Sequence, residues 1–396
     1  MISVGIDVSK GKSTVCILKP GGEVIKPPFE IKHTAEELDS LVSLINSFDE
    51  ETRVVLEDTG HYHLPVASYL SSQSVFVCCV NALRMKKYCS QDIRRAKTDN
   101  IDSLRIASLG IAYWSELTNA YPISDTYDEL RFLARQYYQI TSVLVKEKVN
   151  LSNLLDQVMP GISEVLQDQK GYHKLSEFVE RYIHFRTILD MGEKKFTAHY
   201  CKWATKKGYR CNERKAAEIF ALAQNGIPSL PNSQSITIAV REAIKRIHST
   251  EESRNTILSQ MQDLCKTLPE YSVVREMSGV GDVLTPCIIA EIGDVRRFRN
   301  KHSLIAYAGI DTPPYQSGTF NASERKISKR GNSYLRKAGF EIMLSLIRNK
   351  PVDDPVYAFI QKKRSEGKCG KEAMIAGLNK FLRVYYGKVM ELYSET

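Results

Sequence analysis

The stretch Met1-Ile2-Ser3-Val4-Gly5-Ile6-Asp7-Val8-Ser9-Lys10 opens the chain and places one carboxylate, Asp7, inside a run that predicts a buried strand. A charge in such a run is costly unless something compensates for it. Glu57 repeats the pattern at the end of a second apolar run, and Asp99 and Asp102 follow three residues apart. Hard divalent cations prefer carboxylate oxygens, so the four acids indicate a site where Mg²⁺ acts on phosphates.

Each acid also has an ordinary structural interpretation. An aspartate at a strand edge is usually solvated, and Asp99 and Asp102 fit a helix N-cap and a first-turn acid. The order of the elements favours the metal site, because the acids fall on the first strand, the fourth strand and the last helix of the N-terminal segment.

The hydrophobic pattern predicts an α/β N-terminal domain. A hairpin turn at Gly21-Gly22 separates two strands, and Thr34 with Glu37 forms a capping-box pattern that opens a helix. The order is a three-strand meander followed by alternating helices and strands, as in an RNase H-like fold. Asp7 and Glu57 then lie on adjacent strands. The predicted strands cover residues 2–8, 12–19, 23–31, 52–58 and 75–80.

Length and composition limit the possible functions. The chain has 396 residues, enough for two or three domains, and a net charge of +9, which favours a polyanionic partner. Its nine cysteines are scattered without a C-x-x-C pair, which predicts reduced thiols and no structural zinc. No apolar run reaches the length of a membrane span and no signal peptide precedes Asp7, so we expect a cytoplasmic protein without a membrane partner.

A basic segment leads into the two helical aspartates. Such runs are usually solvated faces, but this one contains Tyr88 and stands next to the acids, where a bound phosphate backbone needs cations. It therefore predicts nucleic-acid contact. Its cations are Arg84, Lys86, Lys87, Arg94, Arg95 and Lys97.

The predicted domains are residues 1–122, 123–268 and 269–396. In the middle domain, apolar residues follow heptad spacing from Leu130 to Val158, interrupted by Glu147, and a second long helix is expected from about Ser235 to Leu268. The two helices fit either an intramolecular hairpin or a coiled coil between protomers. The aromatic and basic residues between 161 and 232 fit either nucleic-acid binding or packing.

The C-terminal domain is predicted to be mainly helical, with two candidate phosphate-binding segments. Gly279 and Gly281 flank Val280 between two helices, which is typical of a helix-hairpin-helix element and equally of a tight packing turn. Ser317 stands beside a glycine, and Lys329 and Arg330 follow within about a dozen residues, an arrangement in which cations hold a phosphate against a hydroxyl. Ser-Gly pairs are common on surfaces, so Ser317 is a candidate nucleophile only.

Together these motifs resemble a large class of bacterial insertion-sequence transposases, of the type that combines a DEDD acidic site with a serine. The N-terminal resemblance rests on Gly5–Lys10, Glu57–Gly60, Val80-Asn81 and Lys97–Asp102. The C-terminal resemblance rests on Gly279–Gly281, Ala290–Asp294, Tyr307–Gly309, Gln316–Gly318 and Ile327–Asn332. It covers roughly residues 1–115 and 270–390, and the segment 161–232 looks like an insertion. Asp58 departs from the pattern and should point to the face opposite Glu57.

The resemblance implies a RuvC-like domain joined through a helical coiled coil to a serine-bearing transposase domain. It implies that Asp7, Glu57, Asp99 and Asp102 hold Mg²⁺ and that Ser317 attacks DNA and stays covalently attached. It further implies donor and target double-stranded DNA chosen by a structured bridge RNA. A homodimer or homotetramer would share each site between protomers, acting in the bacterial cytoplasm at the nucleoid.

Two other classes remain open. A Holliday-junction-type nuclease would use the same carboxylates to activate water, without a covalent adduct on Ser317. A non-catalytic nucleic-acid scaffold would carry a degenerate nuclease fold and bind no divalent metal through Asp7.

Overall fold

The computed structural model describes residues 1–58, 60–89, 98–119, 125–166, 173–313, 316–317, 320–321 and 326–394. The chain divides into two compact units, Met1–Asp125 and Thr126–Thr396. No helix in these ranges is long and apolar enough to cross a membrane.

The first unit is built on a five-stranded mixed sheet of order β3-β2-β1-β4-β5. The first three strands form an antiparallel meander, while β4 pairs in parallel with β1 and β5 pairs in parallel with β4. This confirms the predicted meander and the predicted adjacency of the strands that carry Asp7 and Glu57. The strands are β1 (Ile2–Ser9), β2 (Lys12–Leu18), β3 (Val24–Lys32), β4 (Thr52–Asp58) and β5 (Val77–Asn81).

Helices cover both faces of this sheet. They are α1 (Ala35–Asn46), α2 (His63–Ser72), α3 (Ala82–Cys89) and α4 (Asp99–Ala112). Val4, Ile6 and Leu56 point to the face that shares a core with α1 and α2, whereas Val55 shares a core with α4. The alternation of side chains along a strand therefore puts Ser3, Gly5 and Asp7 on the α4 face.

The N-terminus of α1 differs in detail from the predicted capping box. The Thr34 side chain accepts a hydrogen bond from the Glu37 backbone N–H, as expected. The Glu37 carboxylate, however, accepts from the Lys32 N–H at 2.6 Å, because the end of β3 presents that donor to it.

The second unit is helical, with one short strand pair. Its helices are α5 (Asp125–Val158), α6 (Ile162–Leu166), α7 (His173–Tyr182), α8 (Phe185–Met191), α9 (Glu193–Lys206), α10 (Glu213–Asn225), α11 (Gln234–Cys265), α12 (Tyr271–Arg275), α13 (Gly281–Ile292), α14 (Lys301–Ala308), α15 (Ser333–Asn349), α16 (Pro355–Ser365) and α17 (Gly370–Ser394). The strands β6 (Gln316–Ser317) and β7 (Phe320–Asn321) lie between α14 and α15.

The long helices α5 and α11 run antiparallel within the chain. Glu147, which interrupts the heptad pattern, pairs with Arg246 at 3.0 Å, and Lys148 pairs with Glu251 at 2.7 Å. Near the start of α5, Leu130 shares a core with Cys265 at the end of α11. These contacts favour the intramolecular helical hairpin, while a coiled coil between protomers stays a prediction.

The segment between these helices shares a second core with the adjoining ends of α5 and α11. The side chains of Phe178, Phe196 and Tyr200 are fully buried, while Lys206 and Arg210 are exposed. The aromatic residues of this segment therefore pack, and the basic residues face solvent. The predicted boundary at residue 268 stays a prediction. One hydrophobic core contains the first part of α5, the end of α11 and residues of α12–α17.

One expectation about the cysteines is wrong. Cys201 and Cys211 form a disulfide, with their Cα atoms 4.8 Å apart. The end of α9 and the turn before α10 bring them together, a local proximity that sequence spacing of ten residues does not reveal. The other seven cysteines are free thiols.

Candidate active site

Asp7 and Glu57 occupy neighbouring positions at the same end of the sheet. The parallel register of β1 and β4 runs from Ile2 opposite Thr52 to Ile6 opposite Leu56. The next step along both strands places Asp7 beside Glu57. Both side chains are half-buried, and both point to the face that α4 covers.

Two close approaches seat α4 on this face. A Cβ atom at Gly5 would lie 2.2 Å from the backbone N of Ala107, and one at Gly110 would lie 2.2 Å from the Ser3 Oγ. The C-terminal half of α4 therefore lies over the start of β1. Since α4 runs antiparallel to β1, its N-terminus lies at the Asp7 end of the strand.

The N-terminus of α4 carries the other two acids. Thr98, and not Asp99, caps the helix: its side chain accepts from the Ile101 N–H at 3.3 Å, and Asp99 and Asp102 both lie in the first turn. The pKa of Lys12 is raised, mainly by its ion pair with Glu30 and in smaller part by Asp99. Lys12 pairs with Ser9 in the hairpin that follows Asp7, so Asp99 lies at the same end of the sheet.

The acids do not form a completed ligand set. Among the described residues, no three His, Cys, Asp or Glu side chains come close enough together to hold a metal ion. Asp102 Oδ1 instead lies 3.5 Å from Arg105 Nη1 on the same helix. The structure thus brings Asp7 and Glu57 together and places Asp99 and Asp102 at the same end, and the ligand assignment itself stays a prediction.

Asp58 lies on the opposite face, as its position on β4 predicts. Its Oδ1 is 3.7 Å from Nε2 of the buried His63 on α2. The pKa of the Cys79 thiol is raised to about 12 by burial, then by Cys78 and Asp58. Asp58 therefore belongs to the α1–α2 side and not to the group of four acids.

The basic segment has mixed roles. The Asn81 side chain caps α3 by accepting from the Leu83 N–H at 2.8 Å. Arg84 pairs with Glu116 at 2.5 Å and stacks over the Tyr113 ring at 4.3 Å, so its guanidinium has structural partners. The side chains of Lys86 and Lys87 are exposed. The remaining predicted contacts, Arg94, Arg95 and Lys97, lie outside the described residues.

In the second unit, Ser317 ends β6 and pairs with Phe320 of β7. The chain on either side of this strand pair is joined by backbone hydrogen bonds. The Lys329 N–H donates to the Gly309 oxygen at 3.0 Å, and the Ser328 N–H donates to the Asp311 oxygen at 2.9 Å. Lys329 and Arg330 are exposed beside these bonds.

The glycines of the predicted hairpin serve packing as well as turning. Both have positive φ, +84° at Gly279 and +63° at Gly281, a conformation that favours glycine. A Cβ at Gly279 would lie 2.8 Å from Leu346 Cγ on α15, whereas none of the described atoms would crowd one at Gly281. Asp282, in the first turn of α13, pairs with Arg275 at 2.6 Å. A carboxylate at this helix start competes with a phosphate, so the packing turn is favoured, and phosphate binding stays a prediction.

Glu291 and Asn332 are polar residues that sequence reasoning missed. Asn332 Nδ2 donates to the fully buried Glu291 at 2.6 Å, a contact between residues 41 positions apart. Both residues stand inside the motifs of the resemblance, but their pairing has no signal in a single sequence.

Comparison with known proteins supports a transposase. Residues 4–160 match a family model described as a transposase of the DEDD type of IS110, and residues 271–358 match a model described as transposase IS116/IS110/IS902 family. The Insertion element IS116 uncharacterized 44.8 kDa protein of Streptomyces clavuligerus is 22% identical over 95% of this chain and 91% of its own length. The Pilin gene-inverting protein of Moraxella bovis is 26% identical over 33% of this chain and 42% of its own length.

Among solved structures, the chain is similar to Thermus thermophilus RuvC in complex with a Holliday junction substrate. The TM-score is 0.23 at 12% identity, covering 29% of this chain and 96% of that one.

The two family matches support a general class of protein, an enzyme that cuts and joins DNA. More particularly, residues 4–160 and 271–358 match transposase models of the IS110 and IS116/IS110/IS902 types, and the chain is similar along nearly its whole length to a protein of an insertion element. These findings support an insertion-sequence transposase.

Proposed function

We propose that the chain is an RNA-guided DNA recombinase of an insertion sequence, with an acidic Mg²⁺ site and a serine–DNA covalent intermediate. The observation that carries the proposal is the register that places Asp7 beside Glu57 at the sheet end where α4 begins. The second transposase match, in the unit that contains Ser317, supports joint use of both groups.

The acidic residues fit a hard divalent cation by their chemistry. Asp7 and Glu57 are half-buried carboxylates on neighbouring strands, and such a pair repels itself unless a positive charge is present. Asp7, Glu57, Asp99 and Asp102 would hold Mg²⁺, which as a Lewis acid polarises a phosphodiester. Asp99 and Asp102, in the first turn of α4, also interact favourably with the helix dipole.

Ser317 would supply the nucleophile. Its Oγ forms a bond to a DNA phosphorus, and one P–O ester bond to deoxyribose breaks. The serine proton passes to a general base, and the departing deoxyribose oxygen takes up a proton, so the phosphodiester energy is kept for rejoining. Attack by a deoxyribose hydroxyl of the other DNA then reverses the step and releases Ser317.

The partners belong to the same proposal. Donor and target duplexes and a bridge RNA are polyanions, which suit a chain of net charge +9. The described cations proposed to contact phosphates are the exposed Lys86, Lys87, Lys329 and Arg330 and the partly exposed Arg84. We expect a homodimer or homotetramer in the bacterial cytoplasm, associated with the nucleoid during recombination.

The acidic site is tested by two matched substitutions on adjacent strands. Asp7→Asn should abolish cleavage of element-end DNA and weaken Mn²⁺ binding, measured by calorimetry, because it removes a charged ligand. Asp58→Asn removes the same charge at the same end of the sheet but on the opposite face, so it should retain both properties. Full cleavage by the native protein in EDTA would contradict the proposed metal site.

The serine step is tested by trapping the adduct. Native protein incubated with DNA should yield a denaturation-resistant protein–DNA product, and peptide mapping should place it on Ser317. Ser317→Ala should bind DNA and form none. Ser328→Ala is the matched control, because the Ser328 hydroxyl donates to the Asp311 carboxylate and is thus a competing candidate.

The adduct experiment also separates the recombinase from a nuclease, and a mixture of two variants tests whether copies share the site. Cleavage without an adduct in the native protein would replace the recombinase with a metal-dependent endonuclease. If the serine mechanism holds, mixing Ser317→Ala with Asp7→Ala protein shows whether separate copies supply the acids and the serine, because recombination then recovers only in the mixture.

A further inference from the structure

A buried carboxylate contacts Asn332, which follows Ser317 in the chain and caps α15. Glu291 on α13 is fully buried. Its Oε2 accepts a hydrogen bond from Asn332 Nδ2 at 2.6 Å, and its Oε1 lies 3.4 Å from the Nε of Arg135 on α5. A buried charge is costly unless it is hydrogen-bonded and paired, so both partners are needed to keep Glu291 in place.

Asn332 uses both ends of its amide. Its Nδ2 donates to Glu291 and also to the Tyr307 hydroxyl at 3.1 Å. Its Oδ1 caps α15 by accepting from the N–H groups of Tyr334 at 2.9 Å and Leu335 at 3.0 Å. An asparagine amide has nearly the same shape in either orientation, so an acceptor-only carboxylate on one side selects the orientation that leaves the oxygen facing the helix.

The backbone of Asn332 closes a pairing between two segments, 307–311 and 327–332, that we name the serine clamp. The Asn332 N–H donates to the Tyr307 oxygen at 2.7 Å, next to the bonds that join Lys329 to Gly309 and Ser328 to Asp311. The pairing is close, because a Cβ at Gly331 would lie 2.2 Å from the Tyr307 oxygen. Ser317 stands in the chain between the two segments of the clamp.

We propose that Glu291 is a positioning residue for Ser317. By fixing the Asn332 amide, it holds the serine clamp and so fixes both ends of the segment that presents the nucleophile. The proposal rests on the proposed function of Ser317. Since a nucleophile must be held close to its reacting geometry, a small change at the clamp is expected to lower the rate of adduct formation more than DNA binding.

The test exchanges the two polar groups. Asn332→Asp keeps an oxygen for the helix cap but sets two carboxylates against each other, so adduct formation should fall by about tenfold or more. In the double variant Glu291→Gln with Asn332→Asp, the glutamine Nε2 donates to the aspartate while its oxygen still faces Arg135. Net charge is unchanged from the native pair, and adduct formation should return to within about threefold of native.

Asn300→Asp is the matched control. Asn300 caps α14 by accepting from His302 and Ser303, as Asn332 caps α15, but it is exposed. The change should leave adduct formation and DNA binding at native levels. If Asn332 served only to cap α15, adduct formation in Asn332→Asp would stay at the native level, as in Asn300→Asp.

Amide hydrogen exchange separates failure of this inference from failure of the proposed function. Exchange at Lys329 and Asn332 should accelerate in Asn332→Asp and return to the native rate in the double variant, whether or not Ser317 reacts. An adduct-forming native protein whose double variant stays as impaired as Asn332→Asp would overturn the positioning role. Absence of any adduct in the native protein would overturn the serine mechanism, and restored exchange in the double variant would still support the clamp.

Discussion

Replacing Gly5 with alanine is expected to separate α4 from β1 and disable the acidic site. The added Cβ would lie 2.2 Å from the Ala107 N and 2.4 Å from the Ser103 oxygen, and neither backbone atom can rotate away. Ordinary contact distances require α4 to retreat by about 1 Å, and such overpacking costs about 1–3 kcal/mol or more. The proposed metal site would tolerate changes of only about 0.2 Å in its ligand distances, so displacement of Asp99 and Asp102 should disable it.

Urea unfolding and DNA cleavage by the same preparation measure the two effects. We expect Gly5→Ala to lower the free energy of unfolding and to reduce cleavage beyond the loss explained by unfolded protein. Gly387→Ala is the control, because Gly387 lies inside α17 with none of the described atoms near a new Cβ, and alanine should stabilise that helix by about 0.5–1 kcal/mol. Native stability and native cleavage in Gly5→Ala would refute the seating of α4 on β1.

Two further predictions concern a hydrogen bond to a buried carboxylate and a partly buried histidine, both in the second unit. Tyr393→Phe removes the hydroxyl that donates to Glu270 at 2.9 Å; because Glu270 is buried, the free energy of unfolding should fall by about 1–3 kcal/mol in urea titrations. The exposed control Tyr62→Phe should change it by less than about 0.5 kcal/mol, and equal effects would contradict the buried contact. The pKa of His199 is lowered from 6.5 by burial, then by Arg181 and Lys202, so its stability contribution is present above pH 6.5 and lost as the pH falls below it. His199→Gln should therefore flatten the decline in melting temperature on acidification, and an unchanged decline would assign it to other groups.

The N-terminal sheet was predictable because its pattern is local. Alternating apolar residues, the Gly21-Gly22 turn and the Thr34 cap each act over a few residues, and the observed strands and helices follow them closely. The adjacency of Asp7 and Glu57 then follows from strand order alone. The side-chain contacts of the acids do not, because they depend on where α4 packs.

Contacts between distant residues are the part that the sequence does not specify. The basic run predicts that Arg84 contacts phosphate, whereas in the structure its guanidinium pairs with Glu116 and stacks on Tyr113. The sequence predicts that Glu37 completes a capping box, but its carboxylate accepts instead from the Lys32 N–H at the end of β3. In each case tertiary structure supplies a partner that the sequence does not indicate, and phosphate contact by Arg84 stays a prediction.

The spacing Gly5-Ile6-Asp7 explains why the first strand combines a glycine with an acid. Alternate residues of a strand share a face, so Gly5 and Asp7 both point toward α4, and the absent side chain at Gly5 allows the helix to approach the sheet. Close approach of the helix is in turn what carries Asp99 and Asp102 toward the Asp7 end. Gly110 serves the same approach from the helix side, against Ser3. The small residues therefore set the positions of the carboxylates, and a change at either glycine should act on the acidic site without touching an acid.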